Sequence, residues 1–194
     1  MQALTLKSGP LPHRALYVPD YLAASLTDID WAVLYEQGIE GIAVDLDSTL
    51  VAHGSHKLTE AVIEELARAR PAAGILKLCL ATNRRPGIIL HTLAETLGAA
   101  GVVASHGVSR KPAASYFDRV TACLDVSPRR CAMIGDKLWQ DIYGGNRVGF
   151  ATILVEPHGP AAWFDRLLLH RWRQTRLLAH VRREYENRPK IAKK

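Results

Sequence analysis

Apolar residues occur in short blocks along the chain, and the longest of these blocks predict buried strands. The blocks cover residues 41–45, 75–81, 102–103, 131–134 and 149–155. A short, mostly apolar run bounded by glycine or polar residues is typical of a strand that is covered on both faces. We therefore predict a parallel sheet of about five strands.

The segments between these blocks have the spacing and the end signals of helices. Residues 57–70, 86–97 and 112–124 read as helices, and the last two open at a proline, which suits a first helical turn. Residues 28–38 predict a further short helix that starts at an aspartate cap and stops at glycine. Gly144-Gly145 predicts a break after one more helical stretch. Strands alternating with helices favour an α/β fold with both sheet faces covered.

Hydrophobic residues make up 48% of the 194 residues, as in a globular domain. Charge, however, is distributed unevenly along the chain. Residues 163–194 carry a net charge of +7, and the rest of the chain carries −1. We predict a lead-in with a helix that packs on the core over 1–40, a core over 41–160 and a basic C-terminal extension over 161–194. A basic appendage indicates a negatively charged partner, either a membrane surface or nucleic acid.

The extension reads as an amphipathic helix. Its large apolar residues fall on one broad arc of a helical wheel, with most arginines opposite: Trp163, Phe164, Leu167, Leu168, Trp172, Leu178, Val181 and Tyr185. A basic helix with tryptophan on its apolar face is typical of a helix lying on an anionic membrane. The alternative is a terminal helix that packs its apolar face on the sheet.

The sequence favours a cytoplasmic location, peripheral on the inner membrane face if this helix binds lipid. No run reaches the roughly 18 apolar residues that a membrane span needs, and the first residues lack the apolar centre of a signal peptide. The cysteines, Cys79, Cys123 and Cys131, lack metal-site spacing and are expected to be small apolar side chains in a reducing compartment.

Candidate chemistry begins where the first predicted strand ends. Residues 41–50 read GIAVDLDSTL, which places Asp45 and Asp47 at the carboxyl end of a buried strand. Residues two apart in an extended chain point the same way, roughly 6.5–7 Å apart, so these carboxylates can flank one small reacting group. Two carboxylates that close repel each other, which calls for a cation or a shared proton. The alternative is a strand followed by a simple Asx or Ser turn.

Polar residues follow three further predicted strands in the same way. Thr82 and Asn83 follow the second strand, Lys111 comes shortly after the third, and Asp136 and Asp141 come after the fourth. Each alone has a structural explanation, such as a strand-ending turn, a solvated lysine or a helix N-cap. Because parallel strands share one carboxyl edge, where such sheets bind ligands, we expect these residues to converge.

The order Asp-x-Asp-x-Thr, a strand ending in Thr, Lys-Pro and Gly-Asp-x-x-x-x-Asp resembles the haloacid dehalogenase (HAD) superfamily of phosphotransferases over residues 41–155. The chain is also similar to its YqeG-type branch (class IIIA), which includes phosphatidylglycerophosphate phosphatases of the mitochondrial type. The residues that carry this similarity are 17–19, 28–30, 38–41, 45–51, 82–83, 135–136, Asp141 and 144–147. Ser48 stands where that branch usually has Asn. The resemblance implies a three-layer α/β/α Rossmann-like core and a phosphatase.

The resemblance also implies roles for the acidic residues. Asp45 attacks phosphorus and becomes an aspartyl phosphate, and Asp47 protonates the leaving group and then activates water. Mg²⁺ is held by Asp45, Asp136 and the backbone carbonyl of Asp47, with Asp141 as a further or water-mediated partner. Oxygen ligands suit this hard cation.

The remaining site residues are expected to contact the phosphoryl group. Thr82 donates a hydrogen bond to it and Lys111 supplies a positive charge. Asn83 holds either the loop or a phosphoryl oxygen, and Ser48 and Thr49 are further candidates for substrate binding.

Substrate size is suggested by the short connections around the site. Six residues separate Leu50 from Lys57, and 28 separate Thr82 from Lys111, which leaves no room for a sizeable cap domain. An open site favours a large substrate, and with the basic extension we predict a Mg²⁺-dependent phosphatase acting on a lipid phosphomonoester such as phosphatidylglycerophosphate. The alternatives are a phosphatase of nucleic-acid ends or nucleotides, and a non-catalytic module that tethers a partner through the extension.

Overall fold

The computed structural model describes residues 15–72 and 77–158, and a parallel sheet forms its centre. The strands are β1 (Tyr21–Ala23), β2 (Gly41–Val44), β3 (Lys77–Ala81), β4 (Gly101–Val103), β5 (Cys131–Gly135) and β6 (Ala151–Val155). They pair in the order β1-β6-β5-β2-β3-β4, and every pairing is parallel. The predicted α/β fold with a Rossmann-like parallel sheet is confirmed.

Helices connect the strands across both faces of the sheet. They are α1 (Trp31–Glu36), α2 (Glu60–Ala72), α3 (Ile88–Thr96), α4 (Ala114–Leu124) and α5 (Tyr143–Val148), with a π-helical turn over Leu138–Ile142 directly before α5. The predicted start of α1 is confirmed, because the Asp30 carboxylate accepts a hydrogen bond from the Ala32 N–H at 3.1 Å. The chain runs from β2 to α2 and from β3 to α3 through single loops.

Two layers of apolar side chains bury the sheet on both faces. Ile42 and Val44 belong to the cluster that also contains residues of α1, α2 and α3, whereas Ala43 belongs to the cluster built around Phe117 of α4. This alternation along β2 is the two-residue period of a strand with two covered faces. The polar residues that follow the strands therefore emerge at one fixed edge, the carboxyl edge of the sheet.

The strand β1 is absent from the sequence-based prediction, which expected about five strands. It pairs with β6 at the edge of the sheet, and the Asp20 carboxylate accepts a hydrogen bond from the Thr152 N–H at 2.9 Å. A three-residue strand is too short to show an alternating pattern, and its partner lies far away in the sequence. The lead-in also packs on the body through Asn146, whose side chain donates to the carbonyls of Leu16 and Val18.

Several predicted helix boundaries are wrong. The helix α2 begins at Glu60 rather than at residue 57, and α3 begins at Ile88 rather than at Pro86. Gly144 and Gly145 do not break a helix but lie inside α5. A Cβ on Gly144 would lie 2.5 Å from Cε2 of Phe117, so glycine serves close packing there. Pro112 does not open α4, which begins at Ala114 after a cis Lys111–Pro112 peptide.

Some predictions concern residues outside the described part of the chain. The amphipathic helix expected within 161–194 lies there, as does the lead-in before Ala15. Among the described helices, none combines the length and apolar character that crossing a membrane requires.

Candidate active site

Three carboxylates meet at the carboxyl edge of the sheet. Asp45 directly follows β2, Asp136 directly follows β5, and Asp141 lies in the π-helical turn; each offers an oxygen within 4.8 Å of the others. All three are buried. Gly135 makes room for this arrangement, because a Cβ there would lie 2.4 Å from Cγ of Asp141. The structure thus brings together the acidic residues that the sequence placed after separate strands.

Lys111 lies at the centre of this cluster and is completely buried. Its Nζ donates to Oδ1 of Asp45 at 2.5 Å, to Oδ1 of Asp141 at 2.6 Å and to the carbonyl oxygen of Ala81 at 3.1 Å. Burial opposes the lysine charge, but the Asp141 and Asp45 carboxylates outweigh it and raise the pKa of Lys111. The lysine is therefore a fixed positive charge held beside Asp45.

Lys111 does not compensate all of the negative charge. Burial raises the pKa of Asp45 despite the nearby Lys111. Burial also raises the pKa of Asp136 to about 7, where the charge of Lys137 opposes the shift and those of Asp141 and Asp45 add to it. The three crowded carboxylates, two of which have raised pKa values, form a set of hard oxygen donors that a divalent cation such as Mg²⁺ would stabilise.

Asp47 lies apart from the cluster of three and is paired with an arginine. Its Oδ2 accepts from Nε of Arg84 at 2.8 Å, and its Oδ1 accepts from Nη2 of Arg84 at 2.6 Å and from the Gly54 N–H at 2.8 Å. Burial alone would raise the pKa of Asp47, but the Arg84 and Gly54 hydrogen bonds lower it to about 2. In this state Asp47 is a carboxylate, held in a bidentate pair.

Thr82 and Asn83 connect the loops around the cluster. Thr82 is fully buried, and its hydroxyl oxygen accepts from the Arg84 N–H at 3.1 Å, which leaves the hydroxyl proton available for another acceptor. The Asn83 side chain accepts from the Lys111 N–H at 2.8 Å and donates to the Lys111 carbonyl and to Gln140 Oε1, each at 3.1 Å. Of the two roles expected for Asn83, its contacts match the holding of the loop.

The hydroxyl residues after Asp47 form a tight turn. Ser48 has a φ of 63°, and its N–H donates to the Val51 carbonyl at 2.8 Å. Asn tolerates this left-handed conformation better than Ser, so the backbone here also suits the Asn that the resemblance leads one to expect at this position. Thr49 is buried, and within the described part of the chain its hydroxyl has no hydrogen-bond partner.

Sequence reasoning missed two basic residues at the site. Arg84 holds Asp47, and Nζ of Lys137 lies 3.2 Å from Oδ1 of Asp136. Each follows a predicted site residue by one or two positions, and that proximity was the only signal in the sequence. Two histidines of the loop after β2 lie beside this pair: Nδ1 of His53 is 3.7 Å from Oδ1 of Asp47, and Nδ1 of His56 is 2.8 Å from Nη1 of Arg84.

Comparison with known proteins agrees with this geometry. Residues 108–158 match the HAD-hydrolase-like family. The chain is 31% identical over 144 residues to the probable phosphatase YqeG of Bacillus subtilis, across 74% of this chain and 80% of that protein. The chain belongs to the HAD superfamily. It is a HAD-type phosphatase of the YqeG-type branch.

Two longer proteins are also similar to this HAD phosphatase. The phosphatidylglycerophosphate phosphatase 1 of Arabidopsis thaliana is 30% identical over 148 residues, which cover 74% of this chain and 42% of that protein. Human chronophin is 31% identical over 124 residues, which cover 60% of this chain and 41% of that protein. The chain therefore spans about two fifths of each of these relatives.

Proposed function

We propose that this HAD phosphatase is a Mg²⁺-dependent phosphomonoester hydrolase that works through an aspartyl phosphate on Asp45, and that its substrate is a lipid phosphate such as phosphatidylglycerophosphate. The observation that carries the catalytic part is the buried cluster in which Lys111 touches Asp45 and Asp141, with Asp136 close by. A nucleophilic carboxylate, a fixed cation and a set of hard oxygen donors are the parts that phosphoryl transfer needs.

The residues that would hold Mg²⁺ are Asp45, Asp136 and the backbone carbonyl of Asp47, with Asp141 directly or through water. The three carboxylates fit this ion because they are oxygen donors within 4.8 Å of one another and two of them have raised pKa values. When bound, Mg²⁺ supplies positive charge against the phosphoryl oxygens and the crowded carboxylates.

In the first step, a carboxylate oxygen of Asp45 attacks phosphorus and forms a new P–O bond as the bond to the alcohol oxygen breaks. Lys111 and the Thr82 hydroxyl stabilise the charge on the phosphoryl oxygens. The leaving oxygen takes a proton from Asp47. Because a carboxyl with a pKa of about 2 holds no proton at neutral pH, the Asp47–Arg84 pair must open before this transfer.

In the second step, water attacks the phosphorus of the aspartyl phosphate. The bond between phosphorus and the Asp45 oxygen breaks, which releases inorganic phosphate and restores the Asp45 carboxylate. Asp47 accepts the proton that the water loses, so the step ends with Asp47 protonated for the next cycle.

Three observations support a lipid substrate. A relative at 30% identity is named a phosphatidylglycerophosphate phosphatase. Residues 163–194 combine seven net positive charges with tryptophan and leucine at helical spacing. The loops that follow β2 and β3 lead directly into α2 and α3, so the described part of the chain leaves the catalytic edge open to a large substrate.

The test is phosphate release with Mg²⁺ present and then chelated. The substrates are phosphatidylglycerophosphate in mixed micelles, a phosphorylated oligonucleotide, sugar phosphates and an aryl phosphate. We expect Mg²⁺-dependent release with preference for the lipid. Preference for another substrate would contradict the lipid proposal. Phosphate release that continues after chelation would contradict the proposed Mg²⁺ dependence.

The nucleophile is tested by Asp45→Asn, which should abolish turnover because an amide does not form the acyl phosphate. The matched control is Asp118→Asn, which changes an exposed aspartate on α4 and should leave turnover unchanged. Retained activity in Asp45→Asn would overturn the assignment.

A further inference from the structure

Exposed apolar side chains gather at the catalytic edge of the sheet. In the described part of the chain five large hydrophobic residues are exposed, and four of them lie just beyond the carboxyl ends of β3, β4 and β5: Ile88, Ile89, Val108 and Trp139. Ile88 is 79% exposed and Val108 is 93% exposed. The fifth, Tyr35, lies near the end of α1, shortly before the amino end of β2 and thus towards the opposite edge.

These residues belong to a set of four loops that we call the catalytic rim: residues 51–59, 83–89, 105–110 and 137–140. The rim contains no aspartate or glutamate, but it contains five basic residues: Lys57, Arg84, Arg85, Arg110 and Lys137. The rim encloses the buried carboxylates of the site, whereas two exposed glutamates, Glu60 and Glu156, lie next to the rim. The rim is thus both basic and apolar, and it surrounds the mouth of the site.

Hydrogen bonds tie the four rim loops together. Arg84 donates to the Ser55 carbonyl at 2.8 Å, and its own carbonyl accepts from the Ser105 hydroxyl at 3.0 Å. Asn83 donates to the carbonyl of Lys111, just beyond the third loop, and to the side chain of Gln140 in the fourth. The rim is therefore one connected platform.

The apolar residues flank the acidic site on both sides. The rim loops follow β5, β2, β3 and β4, which are neighbours in that order, so the platform spans about 14 Å from strand to strand. Trp139 lies at the β5 end and Val108 at the β4 end. The indole of Trp139 stacks on Tyr143 with 4.6 Å between ring centroids, which fixes a half-exposed aromatic ring beside the site.

We propose that the catalytic rim docks on an anionic lipid bilayer, with Ile88, Val108 and Trp139 inserted among the headgroups and the exposed basic residues Lys57, Arg85 and Arg110 against lipid phosphates. This proposal rests on the proposed function, since the docked rim would present the site to a phosphomonoester headgroup. Apolar side chains and adjacent basic charge both contribute to binding at a membrane interface.

The pattern fits a bilayer better than other partners. Three of the four apolar residues are aliphatic and offer no ring face on which a nucleic-acid base could stack. Three of the four apolar positions also have a basic residue two or three positions away, as in Arg85–Ile88, Val108–Arg110 and Lys137–Trp139. A protein interface instead tends to exclude charge from its apolar centre.

The experiment compares the full chain with the double variant Ile88→Ser/Val108→Ser. The matched control is Tyr35→Ser, which removes an exposed large side chain far from the rim. Sedimentation with phosphatidylcholine vesicles, with and without phosphatidylglycerol, measures binding, and hydrolysis of an aryl phosphate in solution measures catalysis. We expect the double variant to partition at least about tenfold more weakly to the anionic vesicles. Its hydrolysis of the soluble substrate and its thermal unfolding should stay unchanged.

Several outcomes would overturn the rim proposal. The first is no binding of the unmodified chain to anionic vesicles, and the second is equal partitioning of the double variant and Tyr35→Ser. The third, seen when binding to a single-stranded oligonucleotide is measured in parallel, is a loss confined to the oligonucleotide. The second outcome would assign any membrane binding to other residues, such as the C-terminal extension. Failure of the proposed function gives a different result. The unmodified chain and both variants would then leave the aryl phosphate intact, while the vesicle binding of each would still test the rim.

Discussion

The crowding of the three carboxylates can be tested by unfolding, without any substrate, through Asp136→Asn. Asp136 is buried beside Asp45 and Asp141, and its pKa is raised from 3.8 to about 7. A folded-state pKa above the unfolded value means that the folded chain binds the proton more tightly. The stability that this proton confers is complete below about pH 4 and is lost as the pH rises through about 7.

The size of the effect follows from the shift. Each pKa unit corresponds to about 1.4 kcal/mol, so a shift of roughly three units corresponds to about 4 kcal/mol as an upper bound. For a chain of this length, 1 kcal/mol moves the unfolding temperature by about 2–4 °C. Between about pH 5 and pH 8 roughly two of these units are lost, so with a chelator present we expect the unfolding temperature of the native protein to fall by about 5–10 °C relative to that of Asp136→Asn.

The assay is thermal unfolding over this pH range, with the exposed Asp118→Asn as the control for the loss of one aspartate. The lowered pKa of Asp47 does not interfere, because its contribution changes only between about pH 4 and pH 2. Added Mg²⁺ should stabilise the native protein most at high pH, where it competes with no protons, and should stabilise Asp136→Asn less. Parallel curves for the native protein and Asp136→Asn in chelator would refute the reasoning.

Two further substitutions test other contacts. Arg84→Met removes the partner of Asp47 and should lower the free energy of unfolding at neutral pH by about 2 kcal/mol. This deficit should shrink as the pH falls from about 4 to 2, because the Asp47–Arg84 pair stabilises the fold only while Asp47 is ionised. A deficit that urea titrations find to be independent of pH would contradict the pairing. Gly144→Ala places a Cβ 2.5 Å from Phe117 and should lower the free energy of unfolding by about 1–3 kcal/mol. The control is Gly87→Ala, whose added Cβ meets no atom within 4 Å. Equal urea midpoints for the two variants would contradict the tight packing at Gly144.

The sequence predicted the sheet well where a strand is a buried run, as in β2, β3, β5 and β6. Burial on both faces makes such runs continuous and apolar, and this signal is local. It failed for β1, because Tyr21–Ala23 is short and pairs with a strand, β6, that lies far away in the sequence. It also misread Gly144 and Gly145, since glycine that permits close packing and glycine that ends a helix look the same in sequence.

The convergence of the site residues was predictable from topology alone, because parallel strands share a carboxyl edge. What topology does not contain is the pairing within the site. Lys111 hydrogen-bonds to both Asp45 and Asp141, whereas Asp47 hydrogen-bonds to Arg84. Both pairings depend on how side chains from different loops are placed. In the sequence, an arginine that pairs with a site carboxylate cannot be distinguished from an arginine exposed to solvent, so Arg84 was missed. The catalytic roles themselves stay predictions.

The pairing of β1 with β6 has a consequence for the order in which the chain is made. Asp20 and Thr152 are 132 residues apart, yet they hydrogen-bond directly in the sheet. At about 5–20 residues per second, a ribosome needs on the order of ten seconds to deliver the partner of β1 after β1 itself has emerged. Among the described strands β1 is synthesised first, and it must therefore stay unpaired until β6, its partner in the sheet, has emerged.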